Sequence, residues 1–512
     1  MQEQLTILMV RRKMMKNGVK VFMVMLIVLI SATGFVFAEG VQETGEVQQT
    51  AETQQQAKYV IFLIGDGMAM PQVSSTEAFL GTAGDAPMEK LAFSEFPAQG
   101  MITTYAADRF ITGSAAAGTA LASGYKTYIN AIGVGVDKQP LKTLVEYAEE
   151  KGMATGLVTS TRLTHATPAV FAAHNVDRGN ENEIAADMAD SGVDYMVGGG
   201  YRYFVKADGP LKSKRTDDRD IVAEMVDMGY KTFISEEATQ DFLAYEPWRG
   251  DQVIGLFGYS HLDYDIDNSN QPSLAELTAK GIDLLSQDED GFFMMVEGGR
   301  IDHACHANDA VTAIQDTLAF NDAVKEAIDF YNEHPEETLI VVTADHETGG
   351  LTLGFAGTEY ESAFDTLQDQ HISYEAFDSQ VLSAYKDSHN RYNYDLNDLL
   401  PAVEDFFGLA DLTDTERAQL EEGLQRSMGG EVERSASQNE YLLYGTYEPF
   451  TVTITHLLNQ RAGLAWTSYS HTAVPVPTFA MGPSAETFQG YYDNTDVFWK
   501  IASIMDIPVV RE

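Results

Sequence analysis

The segment EGGRIDHACH, residues 297–306, places two acids, two histidines and two glycines in ten positions, directly after an apolar run. Asp302 and His306 are spaced i, i+4. On a helix they share one face and can grip one metal ion. Glu297 precedes the glycine turn and can reach a neighbouring site. Alone, Asp-x-x-x-His reads more simply as a helix start with a surface histidine; this density of ligand types after a buried strand points to metal. ADHETGG, 344–350, adds Asp345 and His346. Adjacent residues point to opposite sides of an extended chain, so this pair binds together only from a bent turn. Glu347 beside them reads as a cap without a chemical role. Asp66 stands in Gly-Asp-Gly at 65–67, His165 and Thr167 in THATP at 164–168, and His471 in SYSHTAVPVP at 468–477. Taken singly these are a turn, a cap and a loop histidine.

Ser114, in ITGSAAAG at 111–118, stands at a helix start. It is either an N-cap or a nucleophile. A seryl hydroxyl needs a base or a metal to attack at neutral pH, and no base lies beside it in sequence.

The elements that must position these groups read as alternating strands and helices. Continuous apolar runs at 58–65, 154–160, 291–296 and 338–344, with a fifth near 478–483, predict strands buried on both faces and mostly parallel. Helical patterns occupy 141–152, 181–192, 273–287 and 309–334 between them. The class is α/β, a three-layer α/β/α sandwich around a mostly parallel sheet. Such sheets bind ligands at the carboxyl ends of their strands. Asp66, His165, Thr167, Glu297, Asp345 and His346 all follow strand ends, too many at one edge to be caps. Residues 356–465 break the rhythm, are acidic and rich in Tyr, Asp and Gln, and read as an insertion with helical pieces such as 413–428.

Composition excludes some partners. Asp and Glu number 77 against 33 Lys and Arg, a net charge of −44. Nucleic acid is excluded because it requires a basic stripe. A small anionic substrate would need local positive charge, for which bound metal is the obvious source. The single cysteine, Cys305, rules out an intrachain disulfide. A basic start, an apolar core at 21–30 and a small-x-small pattern ending at Ala38 have the three parts of a secretory signal peptide. We expect a signal peptide over 1–38, a disordered Gln/Glu/Thr-rich linker over 39–57, and a catalytic domain over 58–512. The product would be exported, periplasmic or extracellular, with membrane contact only if the signal segment stays uncleaved.

Six ordered motifs resemble the alkaline phosphatase family: GDG at 65–67, GSAAAGTALASGYKT at 113–127, THATPAVFAAHNVDR at 164–178, VEGGRIDHACH at 296–306, TADHETGG at 343–350 and SHTAVPVP at 470–477. The likeness covers most of 58–355 and resumes near 465. It implies phosphomonoester hydrolysis at two zinc ions and a third metal, usually magnesium, through a phosphoserine on Ser114. One zinc would be held by Asp302, His306 and His471, the second by Asp66, Asp345 and His346. The third metal would take Asp66, Thr167 and Glu297, and Arg178 would clamp the phosphoryl group. A homodimer is a further implication of the family. Two departures matter. Gly113 replaces the aspartate that orients the arginine in well-known members. His165 and His303 fall at variable positions near the third metal, where an imidazole would suit a softer ion than magnesium. Phosphodiester or sulfate ester hydrolysis within the superfamily is the nearest alternative, and a non-catalytic exported phosphate- or metal-binding protein is the other.

Overall fold

The structure, a computed structural model, describes residues 55–84, 86, 88–267, 270–429 and 438–509. The expected signal peptide and nearly all of the expected linker lie outside these. No helix among the described residues is long and apolar enough to cross a membrane.

Ten strands form one sheet: β1 (Tyr59–Gly65), β2 (Ala98–Thr103), β3 (Ala154–Arg162), β4 (Tyr195–Gly199), β5 (Lys231–Ile234), β6 (Val253–Leu256), β7 (Phe292–Gly298), β8 (Thr338–Thr343), β9 (Val476–Met481) and β10 (Gly490–Asp493). Their order is β10-β2-β9-β8-β1-β7-β3-β4-β6-β5. β9 runs antiparallel to both β8 and β2, and the other pairs are parallel. Helices cover both faces, so the sheet is the middle layer of the expected sandwich. β1, β7 and β8 are buried at every residue, as their unbroken apolar runs require.

The four adjacent central strands β8, β1, β7 and β3 run parallel, and their carboxyl ends meet at one edge. Ile64 is in register with Glu297 and with Thr343, and Thr159 with Glu297. Asp66, Glu297 and Asp345 therefore leave neighbouring strands at about one level, and His165 follows three residues after the end of β3. This is the step by which sequence spacing of some 280 residues becomes one site.

The helical pieces between 364 and 462 gather a separate apolar cluster, with Phe377, Phe407, Leu424 and Phe450 at its centre. Phe79, Val311 and Ile314, from helices that also face the main core, complete it. A two-residue ribbon pairs His471 with Thr348 and Thr472 with Glu347, which returns the chain after 465 to the edge where the acids lie.

Candidate active site

Four carboxylates, Asp66, Glu297, Asp302 and Asp345, are buried together at the sheet edge. The turn after β8 bends as the sequence demands: His346 N and Gly67 N both donate to Asp345 Oδ1, at 2.9 and 3.3 Å. His346 Nε2 then stands 3.5 Å from Asp66 Oδ1, 3.4 Å from Asp345 Oδ2 and 3.3 Å from Ser114 Oγ. Ser114 is the first residue of helix Ser114–Ser123, and Gly113 before it supplies no side-chain cap. The serine is therefore free of the capping role, and its hydroxyl meets His346.

A second group adjoins the first. His306 Nε2 lies 3.4 Å from Asp302 Oδ2 and 3.1 Å from His471 Nε2, and His471 Nε2 lies 3.5 Å from Asp302 Oδ1. The helix Arg300–His306 brings Asp302 and His306 to one face. Each imidazole is aimed by its other nitrogen: Nδ1 of His306 is 2.7 Å from the Tyr469 carbonyl, and Nδ1 of His471 is 3.0 Å from the Thr112 carbonyl. This is the outer support that metal-binding histidines use. His346 stacks on His471 with centroids 3.6 Å apart, so it borders both groups. Ligand atoms of Asp302, His346 and His471 also fall within 4.8 Å of one another.

The third group is Asp66, Glu297 and His165. Thr167 Oγ1 donates to Asp66 Oδ2 at 3.2 Å. Glu297 Oε2 accepts from Thr161 Oγ1 at 2.9 Å and from Thr159 Oγ1. His303 is not a member. Its Nδ1 accepts from Arg300 Nη1 at 3.2 Å, and only the edge of its ring meets His165, at 5.5 Å between centroids.

The electrostatics call for cations. Burial, reinforced by the Asp345, Asp302 and Glu297 carboxylates, pushes Asp66 well above the usual carboxylate range. Burial and Asp302 push Asp345 up to about 8. Burial, with Arg178 or His471 respectively, holds the His165 and His346 imidazoles well below their ordinary value. Asp66 Oδ1, Asp345 Oδ2, Glu297 Oε1 and His165 Nδ1 are buried without a hydrogen-bond partner. Orphaned atoms are costly, and these four all face inward to the shared space. Metal ions fit that space: the donor set is carboxylate and imidazole, and ligand atoms of Asp302, His346 and His471, of Asp66, Asp345 and His346, and of Asp66, His165 and Glu297 each lie within 4.8 Å of one another.

Gly113 gives Arg178 no carboxylate. Its Nη2 donates instead to His165 Nε2 at 2.9 Å. A guanidinium is only a donor, so Nε2 supplies the lone pair and the ring proton sits on Nδ1. That Nδ1 is 3.5 Å from Glu297 Oε1. A metal on Nδ1 would need the same nitrogen's lone pair. His165 can therefore hold Arg178 or bind a third metal, but not both at once. A cavity of about 580 Å³ opens above Ser114, lined by Arg178 and by two further arginines, Arg109 and Arg162.

A family model described as alkaline phosphatase matches residues 57–507. The chain belongs to the alkaline phosphatase family. Alkaline phosphatase 3 of Bacillus subtilis is 35% identical over 453 residues, covering 86% of this chain and 87% of its own. The crystal structure of a cold-active alkaline phosphatase from a psychrophilic Shewanella superposes with TM-score 0.72 at 32% identity, over 87% of this chain and 99% of that one. A structure of a His-to-Asp variant of the alkaline phosphatase from the Antarctic bacterium TAB5 has magnesium bound in its M3 site; it is 25% identical with TM-score 0.60, over 89% of this chain and all of that one. The chain is thus a phosphoric monoester hydrolase of a metal-dependent family.

Several supporting residues of this alkaline phosphatase escape sequence reasoning. Thr159 and Thr161 share one face of β3, a period-two signal visible in the run but silent about what it faces. Thr348 Oγ1 donates to Asp302 Oδ1 at 2.5 Å and lies 3.3 Å from His346 Nδ1. Glu347 is more than a cap: it is buried and gathers Gln72 Nε2, Gly350 N and Leu351 N at 3.0, 3.1 and 3.2 Å, fixing the turn that carries His346. His261, after β6, follows the strand-end rule that found the others, but its strand has only four residues. Cys305 is buried, and burial pushes its thiol well above the ordinary value, as an inert thiol requires.

Proposed function

We propose that the chain hydrolyses phosphate monoesters to an alcohol and inorganic phosphate through a phosphoserine on Ser114. Asp302, His306 and His471 would hold one zinc; Asp66, Asp345 and His346 would hold the other. Asp66, Glu297 and Thr167 would hold a third, harder ion such as magnesium, with His165 bonded to Arg178. Bound metal supplies Lewis acidity here: it lowers the pKa of hydroxyl and water and offsets phosphoryl charge.

The protein's own groups do the rest. Ser114 Oγ forms the bond to phosphorus as the ester P–O bond breaks and the alcohol leaves. Water then cleaves the Oγ–P bond, returning the serine hydroxyl and releasing phosphate. The N-terminal N–H groups of helix Ser114–Ser123, and its dipole, favour a phosphoryl group at that end. Arg178 has no carboxylate partner among the described residues, so its charge is available to two phosphoryl oxygens. The observation that carries the reading is Ser114 Oγ, uncommitted as a cap, 3.3 Å from His346 Nε2 beside four buried carboxylates with inward orphan atoms. A binding protein without turnover is disfavoured because the nucleophile and every ligand position are filled.

The test is Ser114→Ala. It should lose phosphomonoester turnover, and the mass increment of phosphate on the peptide containing residue 114, while zinc content persists. Full activity in that variant would overturn the covalent route. We further propose that the protein is exported and dimeric.

A further inference from the structure

We propose that Arg162 is a specificity residue, selecting phosphate monoesters whose leaving group carries a second anionic group near the scissile phosphate. The inference rests on the phosphomonoesterase reading and deepens it. In a chain with 77 acidic and 33 basic residues, three arginines lining the one cavity above Ser114 are not a sample of the average surface. Arg178 suffices for the transferred phosphoryl group. Arg109 is a rim residue paired with Asp108 at 2.9 Å and half-exposed. Arg162 differs from both. Its side chain is only 15% exposed, and it is held from two sides. Nε donates to Glu181 Oε2 at 2.6 Å, and Nη1 donates to His261 Nε2 at 3.0 Å. Glu181 is itself fixed by Thr164 Oγ1 at 2.7 Å.

Burial lowers the His261 pKa, and the neutral ring has one accepting nitrogen; the 3.0 Å contact with Nη1 claims it over the 3.3 Å approach of the Arg162 backbone N–H to Nδ1. The edge of the His303 ring packs on His261 with centroids 4.4 Å apart, which fixes the imidazole plane. Nη2 of Arg162 makes no hydrogen bond among the described residues, and Arg162 lines the cavity. An arginine tied only for stability would spend its fork on protein acceptors; this one keeps one end for the cavity. A planar guanidinium so oriented matches carboxylate or phosphate oxygens. His261 is the positioning residue: it acts through Arg162 and does not line the cavity.

The experiment compares kcat/KM for a matched pair, 3-phosphoglycerate and glycerol 1-phosphate, which share a three-carbon skeleton and differ by a carboxylate. Glycerol 1,3-bisphosphate, a monoester whose second anionic group is a phosphate, distinguishes the two chemistries. The wild-type protein should favour 3-phosphoglycerate, glycerol 1,3-bisphosphate or both over glycerol 1-phosphate. Arg162→Gln should lower that ratio about tenfold, the worth of one charge-assisted hydrogen bond, chiefly through KM. Arg162→Lys should restore part of it, and His261→Ala should lower it in the same direction. A thermal melt of each variant separates loss of fold from loss of selectivity. A wild-type ratio of one or below overturns the proposal without any variant, and so does an unchanged ratio in folded Arg162→Gln. No hydrolysis of glycerol phosphate by the metal-replete wild type would instead sink the phosphomonoesterase reading beneath it.

Discussion

Removing the metals should convert this site from a source of stability into a pH-dependent liability. In the metal-free chain, burial and the Asp302 carboxylate push Asp345 up to about 8, against 3.8 for a free aspartate. The shift of about four units corresponds to roughly 6 kcal/mol at about 1.4 kcal/mol per unit. Its sign follows from proton counts. Between pH 4 and 8 the native state keeps a proton that the unfolded state has released, so stability falls as pH rises through that window and levels off above 8. Asp66, pushed in the same direction by burial and by Asp345, adds to the slope. The buried histidines His165 and His346 have lowered values, so they cost stability only as pH falls through about 6.5, their unfolded value. The window from pH 7 to 8 therefore excludes those two histidines, whereas His306, which burial lowers but Asp302 raises overall, declines there with the same sign as the carboxylates. Over that unit, a group titrating near 8 should cost about 1 kcal/mol. Urea unfolding of the chelator-treated chain at pH 7.0, 7.5 and 8.0 should show that decline. The zinc- and magnesium-loaded chain should be more stable throughout and decline less, keeping only the slope of buried carboxylates away from the site, such as Glu149 and Asp378, which burial pushes up to about 7. Equal stability of the two forms at pH 8, or a metal-free chain that gains stability from pH 7 to 8, would refute the argument that these carboxylates lack a compensating charge of their own.

Two further outcomes follow from the same geometry. Arg178→Ala removes the guanidinium that carries no carboxylate, and should lower kcat/KM for phosphate monoesters by about 100-fold, with weaker inhibition by inorganic phosphate measured in the same assay. His165→Asp replaces an imidazole by an oxygen ligand that can also pair with Arg178; magnesium per chain, measured by elemental analysis, should rise, and loss of magnesium in that variant would count against the third-site assignment.

Most of the site was legible because its chemistry sits at strand ends. Asp66, Glu297, Asp345 and His346 each follow an apolar run long enough to read as a buried strand, and parallel neighbours put them at one level. The same reasoning stopped short at the outer strands. β5 and β6 have four residues each, β10 is largely exposed, and no run there is long enough to separate strand from loop. Residues that act by orienting others were the least visible. Thr348, Tyr469 and Thr112 enter through one hydroxyl and two carbonyls, and carbonyl acceptors leave no trace in residue type.

Gly113 shows where residue type alone misleads. Its lack of a side chain suggests an Arg178 with nothing to hold it. There is room for one: a Cβ would meet Ile129 at 3.5 Å and His471 at 3.7 Å, ordinary contact distances. Arg178 is nonetheless tethered, by His165 from the opposite element at 2.9 Å. The tether is an imidazole nitrogen, so it can be withdrawn by any ion that claims His165, whereas an aspartate at 113 would hold the arginine independently of the third metal. Replacing a carboxylate at one position and gaining a histidine at another thus changes more than two contacts. On the proposed function, it would make the grip on the phosphoryl group depend on which cation occupies the adjacent site.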